Sequence, residues 1–203
     1  RLFIADSSAN KEEVEHRVAE AMAVKANDKL WLDETKYKSL ILEHHMAASR
    51  FGFTELYSPL NEIDSFGTSL RNGSISEISI LANVISPLVK AYQSYNDFEV
   101  SRIMRQFSPL LDKKAFRQNS ADQSKLLETA DKAVEDLLLL WKDGAIPTCV
   151  AILKAIKKTN LFTLNDRVDD ILSDPMEDED KKVTALREAL SVSFDKLERY
   201  SAY

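Results

Sequence analysis

The feature that most constrains the fold is a change of pattern near residue 50. Residues 1–50 read strand, helix, strand, helix, whereas every periodic segment from residue 51 to residue 203 is helical. Two strands joined through a helix form a parallel crossover unit, which belongs in a sheet covered on both faces. Because two strands cannot build such a sheet alone, either the remaining strands lie outside this chain or the segment is an incomplete sheet edge.

The pattern in residues 1–50 rests on short apolar runs and one capping signal. Residues 2–5 and residues 39–42 are apolar runs of strand length, and each is flanked by turn-forming or polar residues. Between them, Asn10 and Glu13 have the spacing of a helix N-cap and its reciprocal acidic residue. The sequence therefore predicts two parallel strands and a helix that extends to about residue 25.

Capping residues and prolines mark the predicted helices that follow. Ser74 with Glu77 fits a capping box, Asn96 with Glu99 opens another helix, and Pro87 is expected to kink or interrupt the first of these helices. The predicted fold class is mostly α, with a small partial α/β segment in front. The further predicted helices are one ended by Asp143 and Gly144, one with Pro147 in its first turn that runs toward Asn160, a short one after Asn165 and Asp166, and a long one over residues 178–200.

Composition excludes several classes of protein. The chain has 27 basic and 33 acidic residues, and its net charge of −6 argues against a surface that grips nucleic acid throughout. No apolar run approaches the roughly 18 residues of a membrane span, which predicts a cytoplasmic protein with no membrane partner. The single Cys149 excludes an internal disulfide, and its apolar neighbours predict a small core residue.

Catalytic and metal-binding motifs are not found in the sequence. There is no phosphate-binding loop, no dinucleotide-binding glycine fingerprint and no nucleophile elbow. Glu43, His44 and His45 are adjacent, but the only other histidine and the cysteine lie far along the chain. The acidic run 174–180 lacks the central glycine of a calcium loop and is predicted to favour the start of the next helix. No catalytic, cofactor-binding or metal-binding residue is predicted in this chain.

Two basic groups are the candidate DNA-binding residues. One lies in a segment without acidic residues between residues 150 and 160, and in neither group are the lysines interleaved with the aromatic residues that single-strand stacking requires. A basic helix face is also commonly a solvated surface, so phosphate contact is one of two interpretations. The candidates are Lys154, Lys157 and Lys158 in one group, and Lys113, Lys114 and Arg117 in the other.

Three stretches resemble the second RecA-like motor domain of UvrD/Rep-type superfamily 1 DNA helicases. They are Glu-Glu-Val-Glu at 12–15, Leu-Ile-Leu at 40–42 and Ser-Arg at 49–50, and the longer stretch 41–53 is similar to a bacterial branch of these proteins. Family members often have arginine and asparagine where this chain has His44 and Met46. The resemblance implies that residues 1–50 are a partial RecA-like α/β segment and that residues 51–203 are the helical accessory domain inserted into that motor domain.

The resemblance also implies a function. The chain would be a non-catalytic accessory fragment of an ATP-dependent DNA helicase, contributing duplex contact or regulation of unwinding. ATP and Mg would be bound by the parent protein, and the partners would be DNA, as duplex or as a duplex/single-strand junction, and the rest of the motor domains. Hinges are expected near residues 51–52 and 200–203, because hinge residues lie at the ends of elements.

Two alternatives stand beside the helicase interpretation. The first is a stand-alone helical protein-interaction domain without enzymatic activity, which an exposed apolar patch among Trp141, Phe162 and Phe194 would favour. The second is an enzyme whose acidic residues converge only on folding.

Overall fold

The computed structural model describes residues 3, 4, 6, 10–37, 44–111 and 123–203, and it divides the chain into two compact units, residues 1–42 and residues 43–203. The described residues are mostly helical and contain no named strand, which confirms the predicted mostly α fold. Of the first predicted strand, only Phe3 and Ile4 are described; neither is in a strand, and Ile4 is 87% exposed. The second predicted strand lies outside the described residues, so the two-strand segment and the domain boundary at residue 50 stay predictions.

The first unit contains helix α1, Lys11–Ala26, and a 3-10 turn, Lys29–Leu32. The Asn10 side chain accepts a hydrogen bond from the Glu13 N–H at 3.4 Å, so the predicted N-cap is confirmed. The helix ends where Asn27 adopts a φ of +51°, a left-handed conformation that asparagine tolerates better than most residues.

The second unit is helical from His44 to its end, with one hydrophobic core that runs from α2 to the last helix. α3 and the helix before the last, far apart in sequence, pack along each other, and Leu56, Leu60, Leu186 and Leu190 are fully buried. The helices are α2 His44–Phe51, α3 Thr54–Asn61, α4 Gly67–Arg71, α5 Ser76–Ile80, α6 Ser86–Gln93, α7 Asp97–Phe107, α8 Gln123–Leu138, α9 Cys149–Thr159, α10 Arg167–Leu172, α11 Lys181–Leu190 and α12 Phe194–Ala202.

A π-helical turn, Leu81–Ile85, joins α5 to α6 without interrupting the helix. The Ser86 N–H donates to the Leu81 carbonyl, five residues earlier. Pro87 has no N–H, and its ring crowds the carbonyl of the residue four positions before it, so a wider turn at this point relieves the clash. The irregularity expected at Pro87 therefore takes the form of a π turn ahead of the proline.

The capping box predicted at Ser74 and Glu77 is not formed. α5 begins at Ser76, and the Ser74 hydroxyl instead donates to the Asn72 side chain at 2.6 Å. The Glu77 side chain is completely buried, where it accepts a hydrogen bond from the Asn165 amide at 2.8 Å. The prediction is wrong because α5 begins two residues after Ser74, and the Glu77 carboxylate pairs with Asn165 and Arg167, far along the chain, as well as with the adjacent Ser76 hydroxyl.

The prediction of a single long helix over residues 178–200 is also wrong. The segment forms two helices, α11 and α12, which are separated by residues 191–193. The break is paired with the segment before α9: the Cys149 N–H donates to the Val192 carbonyl at 3.0 Å, and the Phe194 N–H donates to the Pro147 carbonyl at 2.9 Å. Pro147 itself lies outside α9, since Thr148 is the N-cap and accepts from the Ala151 N–H at 3.2 Å. Its predicted place in the first helical turn is therefore wrong.

Other predicted helix ends are confirmed. The Asn96 side chain caps α7 by accepting from the Glu99 N–H at 3.1 Å. Asn160 ends α9 in the left-handed conformation, with a φ of +53°, and Gly144 ends the 3-10 turn Leu139–Gly144 that follows α8 with a φ of +79°. The short helix expected after Asn165 is α10.

The acidic run 174–180 folds against α10 and α11. Asp180 caps α11 by accepting from the Lys182 N–H at 2.9 Å, which confirms the predicted capping role. Glu179 pairs with Arg187, whose guanidinium also donates to the Ile171 carbonyl at 3.0 Å and to the Asp170 carbonyl at 2.6 Å. Arg187 therefore fastens the acidic run to the end of α10.

This clamp predicts a pH-dependent contribution to stability. The hydrogen bond from Arg187 lowers the pKa of Glu179 from its ordinary value of 4.5. Because the folded pKa lies below the unfolded one, the contribution is fully present above pH 4.5 and is lost as pH falls through the folded pKa. Urea unfolding should show Arg187→Met less stable than wild type at neutral pH, with the difference shrinking on acidification. A gap that stays constant at acid pH, or that matches the exposed control Arg105→Met, would contradict the clamp.

One helical stretch among the described residues is long and apolar enough to cross a membrane. The stretch is Asp64–Gln93, with 30 residues; an 18-residue window within it has a mean hydropathy of 1.2, and 56% of that window is buried inside the protein. Such burial is typical of the core helix of a soluble protein, so the stretch is weak support for a membrane segment. The cytoplasmic location and the absence of a membrane partner stay predictions.

The first and last helices of the second unit contact each other through aromatic side chains. The His44 Nδ1 atom and the Tyr203 hydroxyl are 3.2 Å apart, and the Phe51 and Tyr203 ring centroids are 5.8 Å apart. Gly52, at the end of α2, has a φ of +74°, and a β-carbon there would lie 2.9 Å from the Arg199 guanidinium. The two segments predicted as hinges therefore lie side by side.

Candidate nucleic-acid interface

The predicted lysine group lies on the exposed side of α9. The residues that face the core are fully buried: Cys149, Ile152, Leu153 and Ile156. Lys154, Lys157 and Lys158 are all exposed. The three- and four-residue spacing that buries one side of the helix thus places the three ammonium groups together on the other side.

Lys157 differs from the other two lysines because it has an ionic partner. Its ammonium lies 2.6 Å from an Asp169 carboxylate oxygen, and this pair joins α9 to α10. Both side chains are about half exposed, at 47% and 65%, and exposed ion pairs typically contribute no more than about 1 kcal/mol. The charge of Lys157 is therefore partly neutralised within the protein.

Lys154 and Lys158 are the available cations of this face. Among the described residues, neither has an ion pair or a hydrogen bond. Residues four apart lie on adjacent turns of one helix face, about 5–6 Å apart at the β-carbons. Two exposed ammonium groups on adjacent turns, neither with an ionic partner in the described residues, present a positive site that a phosphate backbone could contact.

The second predicted basic group cannot be placed. Lys113, Lys114 and Arg117 lie outside the described residues, so their part in DNA binding stays a prediction.

Cys149 and His44, the other titratable residues considered in the sequence, both pack against neighbouring side chains. Burial raises the pKa of the Cys149 thiol to about 12, which fits the predicted core residue and not a nucleophile. His44 lies on α2 with its ring against Tyr203, and in the described part of the chain no group of three or more His, Cys, Asp or Glu side chains could hold a metal ion.

The apolar patch that would favour a protein-interaction domain is not on the surface. Phe162 and Phe194 are each 2% exposed, and the Trp141 ring packs edge-on against Phe194 with 5.5 Å between centroids. These three aromatic residues therefore belong to the core or pack on it. They do not form the exposed apolar patch that would favour a protein-interaction domain.

Sequence reasoning missed the partner of Lys157 and the partners of Glu77. Asp169 and Asn165 belong to a helix and a loop whose packing against α9 and α5 is set by the tertiary fold, and no spacing in the sequence signals it. A comparison with protein-family models, with curated proteins and with solved structures finds no match to this chain.

Proposed function

We propose that this chain is a non-catalytic accessory part of an ATP-dependent DNA helicase and that its helical unit holds duplex DNA through the lysine face of α9. The observation that carries the proposal is the pair Lys154 and Lys158, exposed on one helix face with no ionic partner in the described residues. Phosphate contacts are sequence-independent and draw their affinity from counterion release, which suits a surface that must slide along any duplex.

The position of the first and last helices supports the accessory role. A domain inserted into a motor needs its incoming and outgoing segments close together, and the rings of Phe51 and Tyr203 are in contact. In the proposed arrangement, residues 1–50 form a partial RecA-like segment with two parallel strands, and residues 51–203 form the inserted helical domain. The second compact unit, residues 43–203, has a hydrophobic core of its own, which would let a helical domain stay folded while it turns on its connections.

The mechanism assigns chemistry and positioning to different parts. ATP and Mg belong to the motor domains of the parent protein, which would translocate along single-stranded DNA. Lys154 and Lys158 would contact the phosphates of the adjoining duplex as point charges, without reading bases. Lys157 would stay with Asp169 and keep α9 fixed on α10.

The proposal is tested by the salt dependence of duplex binding. Anisotropy of a labelled duplex with a single-stranded overhang is measured with the 203-residue chain from 50 to 200 mM salt, a range over which phosphate contacts weaken strongly. Each lost phosphate contact reduces the slope of log K against log salt by about 0.9, so Lys154→Ala/Lys158→Ala should reduce it by about 1.8 and weaken binding at every salt concentration.

The matched control is Lys132→Ala/Lys142→Ala, which removes the same charge from exposed positions outside α9. The control should bind like wild type. Equal loss in both double variants would mean that only net charge matters, and wild-type binding by the α9 variant would remove this face from the proposed interface.

A further inference from the structure

A cavity of about 480 Å³ lies in the second unit, beside the π-helical turn. α3, α4, the π turn and α12 each supply part of its wall. Its volume falls within the range of about 300–1,000 Å³ that is usual for small-molecule sites. The wall combines apolar and aromatic surface from Ile78, Tyr200 and Tyr203 with polar groups from Tyr57, Arg71 and Asn83.

The charge of this cavity is opposite to that of the protein. Arg71 lines it, whereas no aspartate or glutamate is among its described lining residues, although the chain carries a net charge of −6. In the described part of the chain, the Arg71 guanidinium has no ion pair and no hydrogen bond. A guanidinium presents a planar set of donors that fits the paired oxygens of a carboxylate or a phosphate.

Tyr57 has a buried ring and an accessible hydroxyl. The residue is 5% exposed, and its hydroxyl has no hydrogen-bond partner among the described residues. By contrast, the Tyr200 hydroxyl donates to the Leu70 carbonyl, and the Tyr203 hydroxyl contacts His44. No buried side-chain nitrogen or oxygen among the described residues lacks a hydrogen-bond partner, so the Tyr57 hydroxyl is accessible from the cavity and can donate to a ligand there.

The protonation of Tyr57 suits that role. Burial raises the pKa of Tyr57 above its ordinary value of 10.0, and the charge of Arg71 acts against this rise, which places the guanidinium and the phenol within electrostatic reach of each other. The hydroxyl therefore keeps its proton at neutral pH and can donate it in a hydrogen bond to an anion. Arg71 and Tyr57 offer donors to the same region.

The π turn brings a further polar group to this wall. Asn83 is in the middle of the turn, and its amide nitrogen donates to the Ser79 hydroxyl at 3.0 Å. π turns within α-helices occur frequently at functional sites, where they place side chains that a regular helix would direct elsewhere.

We propose that this cavity binds a small organic oxyanion, with its carboxylate or phosphate group held by Arg71 and Tyr57 and its flat apolar body against Tyr200 and Tyr203. The proposal rests on residues other than the lysines of α9, so it stands or falls separately from DNA binding.

The test uses the 203-residue chain and saturation-transfer NMR with phenyl phosphate, benzoate and the uncharged benzyl alcohol as probes. Phenyl phosphate or benzoate should bind, and the preference between them identifies the oxyanion. Arg71→Gln should lower the affinity for the probe by about tenfold or more, and Tyr57→Phe should lower it by about threefold to tenfold, as expected for the loss of one charged and one neutral hydrogen bond. Tyr57→Phe keeps the ring, so the fold is retained.

The matched controls are Arg105→Gln and Tyr92→Phe, which make the same changes at exposed positions outside this cavity. Both should bind the probe like wild type. The proposal would be overturned if neither anion bound at millimolar concentration or if benzyl alcohol bound as tightly as the anions. It would also be overturned if Arg71→Gln bound the probe as tightly as Arg105→Gln.

Discussion

Replacing Phe53 by alanine is expected to lower the free energy of unfolding of the second unit by about 3–5 kcal/mol. Phe53 is 1% exposed, and its ring lies 5.6 Å from the Tyr200 ring and 5.8 Å from the Tyr203 ring, measured between centroids. Alanine would remove the apolar contact of the ring and leave a cavity that these neighbours, one of them fixed by a hydrogen bond to Leu70, cannot fill.

The measurement is urea unfolding followed by tryptophan fluorescence in a Trp31→Phe background, so that only Trp141 in the second unit reports. The matched control is Phe98→Ala, because Phe98 is 80% exposed and the chemical change is the same. The control should alter stability by no more than about 0.5 kcal/mol. If both variants unfolded at the same urea concentration, the aromatic packing of Phe53 would not be a source of stability.

Replacing Glu77 by alanine is expected to cost about 2–3 kcal/mol. The carboxylate has no exposed surface, and it accepts from Asn165 at 2.8 Å and lies 3.4 Å from the Arg167 guanidinium. Alanine would leave the Asn165 amide and the Arg167 charge without this partner. Because the Arg167 side chain is 39% exposed and water can reach it, the cost should stay below that of a fully buried broken pair.

Glu77→Gln separates charge from shape, since it keeps a hydrogen-bond acceptor for Asn165 and removes the negative charge beside Arg167. It should be less destabilising than Glu77→Ala in the same unfolding measurement. The exposed Glu188→Ala on α11 is the control for removal of a glutamate and should be nearly neutral. A Glu77→Ala variant as stable as this control would show that the buried network contributes nothing.

Helix starts that depend on a side chain three residues away could be predicted from the sequence. The Asn10 and Asn96 side chains accept from the N–H groups of Glu13 and Glu99 as expected, because donor and acceptor are set by the local geometry of one helical turn. Ser74 with Glu77 has the same spacing and fails, because Asn165 and Arg167 arrive from far along the chain and bind the carboxylate.

The break between α11 and α12 could not be predicted for a similar reason. Leu190 and Phe194, on either side of it, are both buried, so the apolar spacing continues through residues 191–193. The backbone there is paired with the segment before Cys149, and such pairing leaves no mark on helical periodicity.

The candidate interface could be predicted in part. The exposure of Lys154, Lys157 and Lys158 follows from the apolar period of α9, which buries the opposite side. The neutralisation of Lys157 by Asp169 does not follow, because it requires the packing of α10 against α9. The cavity beside Tyr57 could not be predicted from the sequence either, since its walls come from several elements that lie far apart along the chain.

The contact between α2 and α12 decides how the second unit carries a mechanical load. A pull applied to His44 and Tyr203 acts on two points that are already adjacent, so the load path does not run through the interior. The ring contacts of Tyr203 with Phe51 and Phe53 and the hydrogen bond between His44 and Tyr203 then bear the tension first. These contacts can break one after another, whereas the core side chains would have to separate together. Under tension, the contacts between α2 and α12 should therefore break before the core does.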